Sequence, residues 1–270
     1  MTIDIESNPV VRSLRSHRSI RRFTSEPLPD ETLHPLIETA QRSSTSSNLQ
    51  CYSVIVVRDP EKKRRIAALC GNQQQIIDCP VFLAHCADLN RAKAMCEQAG
   101  YDFDAKFIEL LLLSVIDSTI FAQTLLGAVE GVGLGGCYIG AARNHPFEIA
   151  ETLGLPPLVF VVFGMTLGHP DISHLPKLRP RLPLGAVVHK ETYDDSSWKK
   201  HHQEYNRAMR ETGIYTGRQI DFSKRVPGWS RTSSEDEYGW IEHSARRWID
   251  PAAFRRDIRS FLDKQGIGVD

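Results

Sequence analysis

Apolar residues recur at helical spacing at Leu33, Leu36, Ile37 and Ala40, behind a Pro29-Asp30 start signal, and predict an amphipathic helix from Asp30. The polar run Gln41 to Asn48 ends it. Tyr52-Ser53-Val54-Ile55-Val56-Val57 is rich in β-branched residues and bounded by Arg58-Asp59-Pro60, which reads as a strand. A charged helix over Glu61 to Leu69 stops at Gly71, and Pro80 to Cys86 supplies a second strand. From about Asp104 to Val132 the apolar residues lie nearly all round, through Phe107, Leu110, Leu113, Ile116, Ile120, Leu126 and Val129. A helix so apolar must be buried, in the core, in a subunit interface or partly in each.

A short strand follows around Cys137-Tyr138-Ile139, then a helix opened by Pro146 and a strand over Leu158 to Thr166. From His169 the character changes: Pro170, Pro176, Pro180 and Pro183 punctuate an extended segment, and Trp198 to Thr212 reads as a helix rich in His, Lys and Arg. Residues 213–233 read as loop, and helices near Ser234–Trp248 and Pro251–Lys264 finish the chain. Strands and helices alternate early, helices dominate late, and there is no internal repeat. The pattern predicts one α+β domain over residues 1–270, with a core over about 13–183 and a helical C-terminal extension over about 184–270.

Composition narrows the function classes. The 33 Lys plus Arg balance 33 Asp plus Glu, so five arginines with no acid between Arg12 and Arg22 are a local feature of a neutral chain. Such a cluster wants an anion, but a dedicated nucleic-acid binder would carry a clear positive excess. The longest apolar runs fall far short of the roughly 20 residues that span a bilayer, so no transmembrane helix is expected. Residues 1–15 lack an apolar signal region, and the six cysteines form neither a CxxC pair nor a disulfide framework; a cytoplasmic protein with reduced, buried thiols is expected.

Gly131-Val132-Gly133-Leu134-Gly135-Gly136 matches G-x-G-x-x-G literally. In a dinucleotide site the motif follows a strand and opens a helix, whereas here it closes a helix and leads into a strand. A helix C-cap and tight turn is the better reading. No H-x-x-x-H, G-x-S-x-G or P-loop occurs, so metal, serine-hydrolase and P-loop chemistry lack an anchor. Polar and cationic groups without a protein nucleophile or base fit an enzyme whose cofactor carries the chemistry.

Four segments fit that description. His17-Arg18-Ser19 with Arg21 offers forked donors and a hydroxyl to a phosphate, or is a solvated basic helix end. Ser44 to Gln50 is a hydroxyl and amide run suited to a polyol or heterocycle edge, or an ordinary loop. Gly71-Asn72-Gln73-Gln74-Gln75 presents amides that match a uracil-like edge or cap a helix. Arg179-Pro180-Arg181 fixes two cations in a proline-rich turn, or is surface charge.

Together with Gly135-Gly136-Cys137-Tyr138-Ile139-Gly140, these segments occur in the order and approximate spacing of the FMN-dependent nitroreductase superfamily, and most resemble its oxygen-insensitive NADPH nitroreductase and NADPH-flavin oxidoreductase branch. The resemblance implies a homodimer with a mixed sheet flanked by helices and FMN at the subunit interface. By analogy His17, Arg18, Ser19 and Arg21 bind the phosphate and ribityl end, joined by Arg179 and Arg181. Thr45, Ser46 and Asn48 reach the flavin of the partner subunit, Gln73 pairs with the pyrimidine edge, and the backbone at Tyr138, Ile139, Gly140 and Ala141 faces the isoalloxazine.

No catalytic side chain and no metal is implied. NADPH, or NADH, would reduce FMN, which then reduces nitroaromatics, quinones, azo compounds or free flavin. Three departures stand out: Arg179 where the branch commonly has Lys, Ala141 where relatives have a second Gly, and a long 213–233 loop. Arg210, Arg218, Lys224 and Arg225 are the candidates for the 2′-phosphate of NADPH. Two rivals remain: the same fold binding or modifying flavin without reductase turnover, and a protein that binds an anionic partner.

Overall fold

The computed structural model describes residues 4–221, 223, 238–250 and 254–268, and these fall into two compact units. The first runs to Pro176 and takes up the chain again from Arg255; the second is Lys177–Phe254. The expected core and extension divided near 183–184; the first unit ends at Pro176 and regains the last helix, because Phe261 and Leu262 are buried in its core.

The first unit opens with helix α1 (Pro9–Arg15), whose start is fixed by the Asn8 side chain accepting from the Val10 and Val11 amides. Helix α2 (Asp30–Ala40) turns Leu33, Leu36 and Ala40 inward, as their spacing predicts. Strand β1 (Tyr52–Val57), helices α3 (Pro60–Leu69) and α4 (Gln74–Asp78), strand β2 (Val81–Asp88) and helix α5 (Asn90–Ala99) follow. Helix α6 (Ile108–Gly131), strand β3 (Gly135–Ile139), helix α7 (Pro146–Leu153), strand β4 (Val159–Gly168) and a last helix from Ile258 to Gln265 complete it.

The strands form one sheet in the order β1-β2-β4-β3. Every pairing is antiparallel, so the described strands contain no parallel pair of the kind a mixed sheet implies. Helical connections leave strand direction open in the sequence; the pairing register decides it. All eight β2 residues are buried, and they alternate strictly: Val81, Leu83 and Ala87 face the core under α2 and α6, while Phe82, Ala84 and Cys86 face the core under α3 and α7. Two apolar faces on one strand explain its continuous hydrophobic run.

By length and composition alone, the 24-residue α6 passes for a membrane-crossing helix, although the sequence runs suggested none. It buries Ser114, Asp117 and Ser118 among Phe121, Leu125 and Val129 against the sheet, which is the arrangement of a core helix. After α6 comes Gly133 at φ +84°, a left-handed turn, and then the strand. The G-x-G-x-x-G run is therefore a helix end and a strand start. At Gly135 a Cβ would stand 2.5 Å from Ile20 Cγ1, so that glycine admits the N-terminal segment.

In the second unit, helices α8 (Ser196–Glu211) and α9 (Trp240–Ile249) enclose a small core of Tyr205, Met209 and Tyr215 with Leu182, Tyr238 and Trp240. The expected start of α9 at Ser234 and of the final helix, α10 (Ile258–Gln265), at Pro251 fall outside the described residues.

Candidate active site

The segment Ser16–Phe23 runs along the β3 side of the sheet. Ile20 N–H donates to Gly136 O (2.9 Å), Thr24 N–H to His169 O (2.9 Å) and Asp171 N–H to Arg22 O (3.0 Å). Ile20 is buried, Arg18 and Ser19 are half-buried and Arg21 is exposed. Arg18 and Arg21 donate only to carbonyls of their own segment, Ser16 O at 3.2 Å and Ser19 O at 3.4 Å. Among the described residues neither guanidinium meets a carboxylate, whereas Arg15 pairs with Glu6. His17 is held from α6: its Nδ1 lies 2.6 Å from Glu130 Oε1.

Beside this segment β3 carries Tyr138, edge-on to Phe163 at 4.9 Å, with its hydroxyl donating to Gln123 Oε1 (3.3 Å). Burial, and then the Glu130 charge, hold the phenol well above the usual tyrosine range. Ile139 is buried and Gly140 and Ala141 half-buried in the turn that ends the strand. A Cβ on Gly140 would lie 3.8 Å from Arg143 Nη2 and 3.9 Å from Arg255 Nη2. Arg143 donates to Val162 O, and Arg255 to Asn144 Oδ1 at 3.0 Å. Burial, and then the Arg255 charge, lower the Arg143 pKa.

Thr45, Ser46 and Asn48 stand on a loop clamped from two sides. The fully buried Asp117 accepts from Ser46 N–H (2.9 Å) and Cys51 N–H (3.1 Å), and Arg91 donates to Gln50 O and Tyr52 O at 3.2 Å each. Between the clamps Ser47, Asn48 and Gln50 take left-handed backbones (φ 48°, 57° and 53°), conformations that persist where the surroundings over-determine them. The clamp leaves the Ser46 and Asn48 side chains exposed. Gln73 ends in a partly used amide: Nε2 donates to Cys70 O (3.0 Å) while Oε1 accepts from Gln75 (2.6 Å).

Arg179 and Arg181 belong to the second unit. With Tyr205, Tyr215, Trp240 and His243 they line a cavity of about 310 Å³. A larger cavity, about 690 Å³, is lined by Arg218, Tyr238, His243, Arg246 and Arg247. Arg218 and Arg246 each lie 5.9 Å from the centre of the Tyr238 ring. Burial, and then the charges of Arg218, Arg247 and Arg246, lower the His243 pKa. Of the nucleotide candidates, Arg218 lines this cavity, Arg210 lies in the last turn of α8, and Lys224 and Arg225 lie outside the described residues.

The structure thus joins the His17–Arg21 segment to β3 through Ile20 and Gly136, while Ser46, Asn48 and Gln73 bond elsewhere and Thr45 stands beside Ser46 on the loop that Asp117 holds. Reading the sequence missed Asp117, Glu130, Arg143, Arg246, Arg247 and Arg255. The acids were the findable ones, as charges inside an otherwise apolar helix. Among the described residues no group of three His, Cys, Asp or Glu is placed to hold a metal.

The nitroreductase family model matches residues 14–169, and the model of that family's C-terminal domain matches 179–270. The chain belongs to the nitroreductase family. This nitroreductase is 37% identical over 267 residues to the FMN reductase [NAD(P)H] of Bacillus subtilis, covering 97% of this chain and 99% of that one. It is 39% identical over 186 residues to the oxygen-insensitive NADPH nitroreductase of Salmonella typhimurium, covering 69% and 75%. Among solved structures, the NADPH:FMN oxidoreductase from Vibrio harveyi complexed with NAD+ superposes with a TM-score of 0.81 at 33% identity, over 96% of this chain and 98% of that one.

Proposed function

We propose that this nitroreductase is an FMN-dependent NAD(P)H oxidoreductase that acts as a single functional domain in a homodimer. The observation that supports the reading is the bond from Ile20 to Gly136, which ties the segment carrying Arg18 and Arg21 to β3, the strand that leads into Gly140 and Ala141. Two guanidiniums, the Ser19 hydroxyl and an open strand end match the phosphate, ribityl chain and flat ring of FMN. Bound FMN supplies the hydride chemistry, accepting from the nicotinamide and donating to a nitroaromatic, quinone, azo compound or free flavin. The protein's part is positioning and charge: His17, Arg18, Ser19 and Arg21, with Arg179 and Arg181, hold the phosphate end. Gln73 takes the pyrimidine edge and the backbone from Tyr138 to Ala141 supports the ring. Thr45, Ser46 and Asn48 serve the partner's flavin. Solvent supplies the protons.

The exposed stripe Ile108, Leu112, Ile116 and Ile120 on α6 is the face that a second copy of the chain would cover. The cavity of Arg218, Arg246 and Arg247 around Tyr238 suits a phosphorylated ribose with a stacked base, which favours NADPH over NADH. All six cysteines are free thiols, and burial pushes Cys70, Cys79 and Cys86 up to about 12, consistent with a protein of the cytosol. The test is the absorption spectrum of the pure protein, followed by anaerobic titration with NADPH and with NADH. A flavin band bleached by NADPH is expected; a protein that stays colourless with FMN and oxidises no NADPH overturns the reading. A flavin band that no nucleotide bleaches leaves flavin binding without turnover.

A further inference from the structure

Glu130 breaks three local rules at once. It lies in the last turn of α6, where the helix dipole disfavours an anion. Its side chain is only 11% exposed, and its Oε2 is buried without a hydrogen-bond partner among the described residues. What it does hold is His17, through a 2.6 Å contact between Oε1 and Nδ1 that joins residues 113 positions apart. An anion kept at such cost beside an arginine-rich segment has a job there.

The geometry assigns Nδ1 as the donor, because a carboxylate oxygen only accepts. In a neutral ring Nε2 is then a bare lone pair, which repels phosphate oxygens. With a second proton it becomes an N–H donor, and Glu130 supplies the counter-charge. The titratable and charged groups on the surrounding elements are Arg12 and Arg15 of α1, Arg18, Arg21 and Arg22 of the same segment, Glu109, Asp117 and Glu130 of α6 and the Tyr138 hydroxyl of β3. Arg15 is engaged by Glu6 and the Tyr138 hydroxyl donates to Gln123, which leaves Glu130 as the carboxylate paired with His17.

We propose that His17 and Glu130 form a proton-linked latch for a phosphomonoester: when the phosphate settles beside Arg18, Ser19 and Arg21, one proton is taken from solvent onto His17 Nε2. Glu130 is a positioning residue in this scheme, fixing the ring's orientation and balancing its charge. The latch rests on the reading that this segment holds the flavin phosphate. It adds that flavin loading is coupled to protonation and that Glu130 controls the coupling.

The test is calorimetry of FMN and of riboflavin binding to the full-length, flavin-free protein, in buffers of different ionisation enthalpy. At about pH 8 the free phosphate is already a dianion, so proton uptake on binding is not uptake by the phosphate itself. The wild type should take up about one proton with FMN and none with riboflavin. Glu130→Gln should abolish the uptake and weaken FMN about tenfold at that pH, with the gap narrowing toward pH 6 and riboflavin unaffected. Unchanged riboflavin affinity shows that the variant is folded. Proton uptake that is absent in the wild type, or equal in Glu130→Gln, overturns the latch. If Arg18→Ala and Arg21→Ala weaken FMN but neither His17→Phe nor Glu130→Gln changes the proton count, the phosphate reading stands and the latch falls. If all four leave FMN affinity unchanged, the phosphate reading falls with it.

Discussion

The two units of this nitroreductase solve different problems with different interiors. The first buries a whole central strand between two aliphatic and aromatic clusters, and its arginine-rich segment is tied to that sheet by backbone hydrogen bonds. The second has three buried core residues, Tyr205, Met209 and Tyr215, beside arginine-lined cavities of about 690 and 310 Å³. A large core resists local opening and suits a resident cofactor held in one geometry. A small core with charged cavities opens at lower cost and suits a ligand that comes and goes.

Breaking the first unit should cost most. Leu83→Ala empties a site on β2 with no exposure, and about 2–5 kcal/mol of stability should be lost in urea denaturation, with flavin retention falling in parallel. Met209→Ala in the second unit should lower flavin retention less than Leu83→Ala does; equal flavin loss in both variants would erase the contrast. The first unit also carries a pH liability. His85 is fully buried between Phe121 and Phe163, neither ring nitrogen has a partner, and burial depresses its pKa from 6.5 to about 3. The unfolded chain therefore takes up the proton first, and stability falls as pH drops below 6.5 toward 3, by roughly 2 kcal/mol at pH 5. His85→Phe should flatten that part of the pH–stability curve, and an unchanged slope would rule His85 out as its source.

Asp117→Asn puts an amide N–H or a single acceptor where two backbone donors converge. It should cost about 1–3 kcal/mol and release the Ser46 and Cys51 amides to hydrogen exchange. Retained protection at both amides would show that the loop holds itself. The smallest effect belongs to the second unit. Arg246→Ala should raise KM for NADPH about tenfold, with kcat and FMN content unchanged and NADH little affected. A loss of FMN instead would mean that this cavity serves the flavin.

Local pattern made much of the first unit legible. The β-branched run at Tyr52–Val57, the spacing of Leu33, Leu36 and Ala40, and the glycines after α6 each carry their structure in a few neighbouring residues. The short helices α1, α4 and α5 carry too few regularly spaced apolar residues to show a helical period; α1 starts at the Asn8 cap, whereas the N-cap residues of α4 and α5, Gln73 and Leu89, make no capping bond. Only three dimensions reveal what Glu130 and Asp117 do, since their partners lie 113, 71 and 66 residues away. Arg246 and Arg247 carry no signal of their own in the sequence; folding sets them with Tyr238 and Arg218 around one cavity.

The sequence by itself determined the family and the main helices and strands, because hydrophobic period and turn chemistry are local. Tertiary structure alone decided that the sheet is antiparallel, that Ile20 seats the arginine segment on Gly136, and that two buried carboxylates inside an apolar helix govern the loop and the histidine. Those outcomes depend on pairings between distant residues, and a charge has no visible partner until the chain has folded around it.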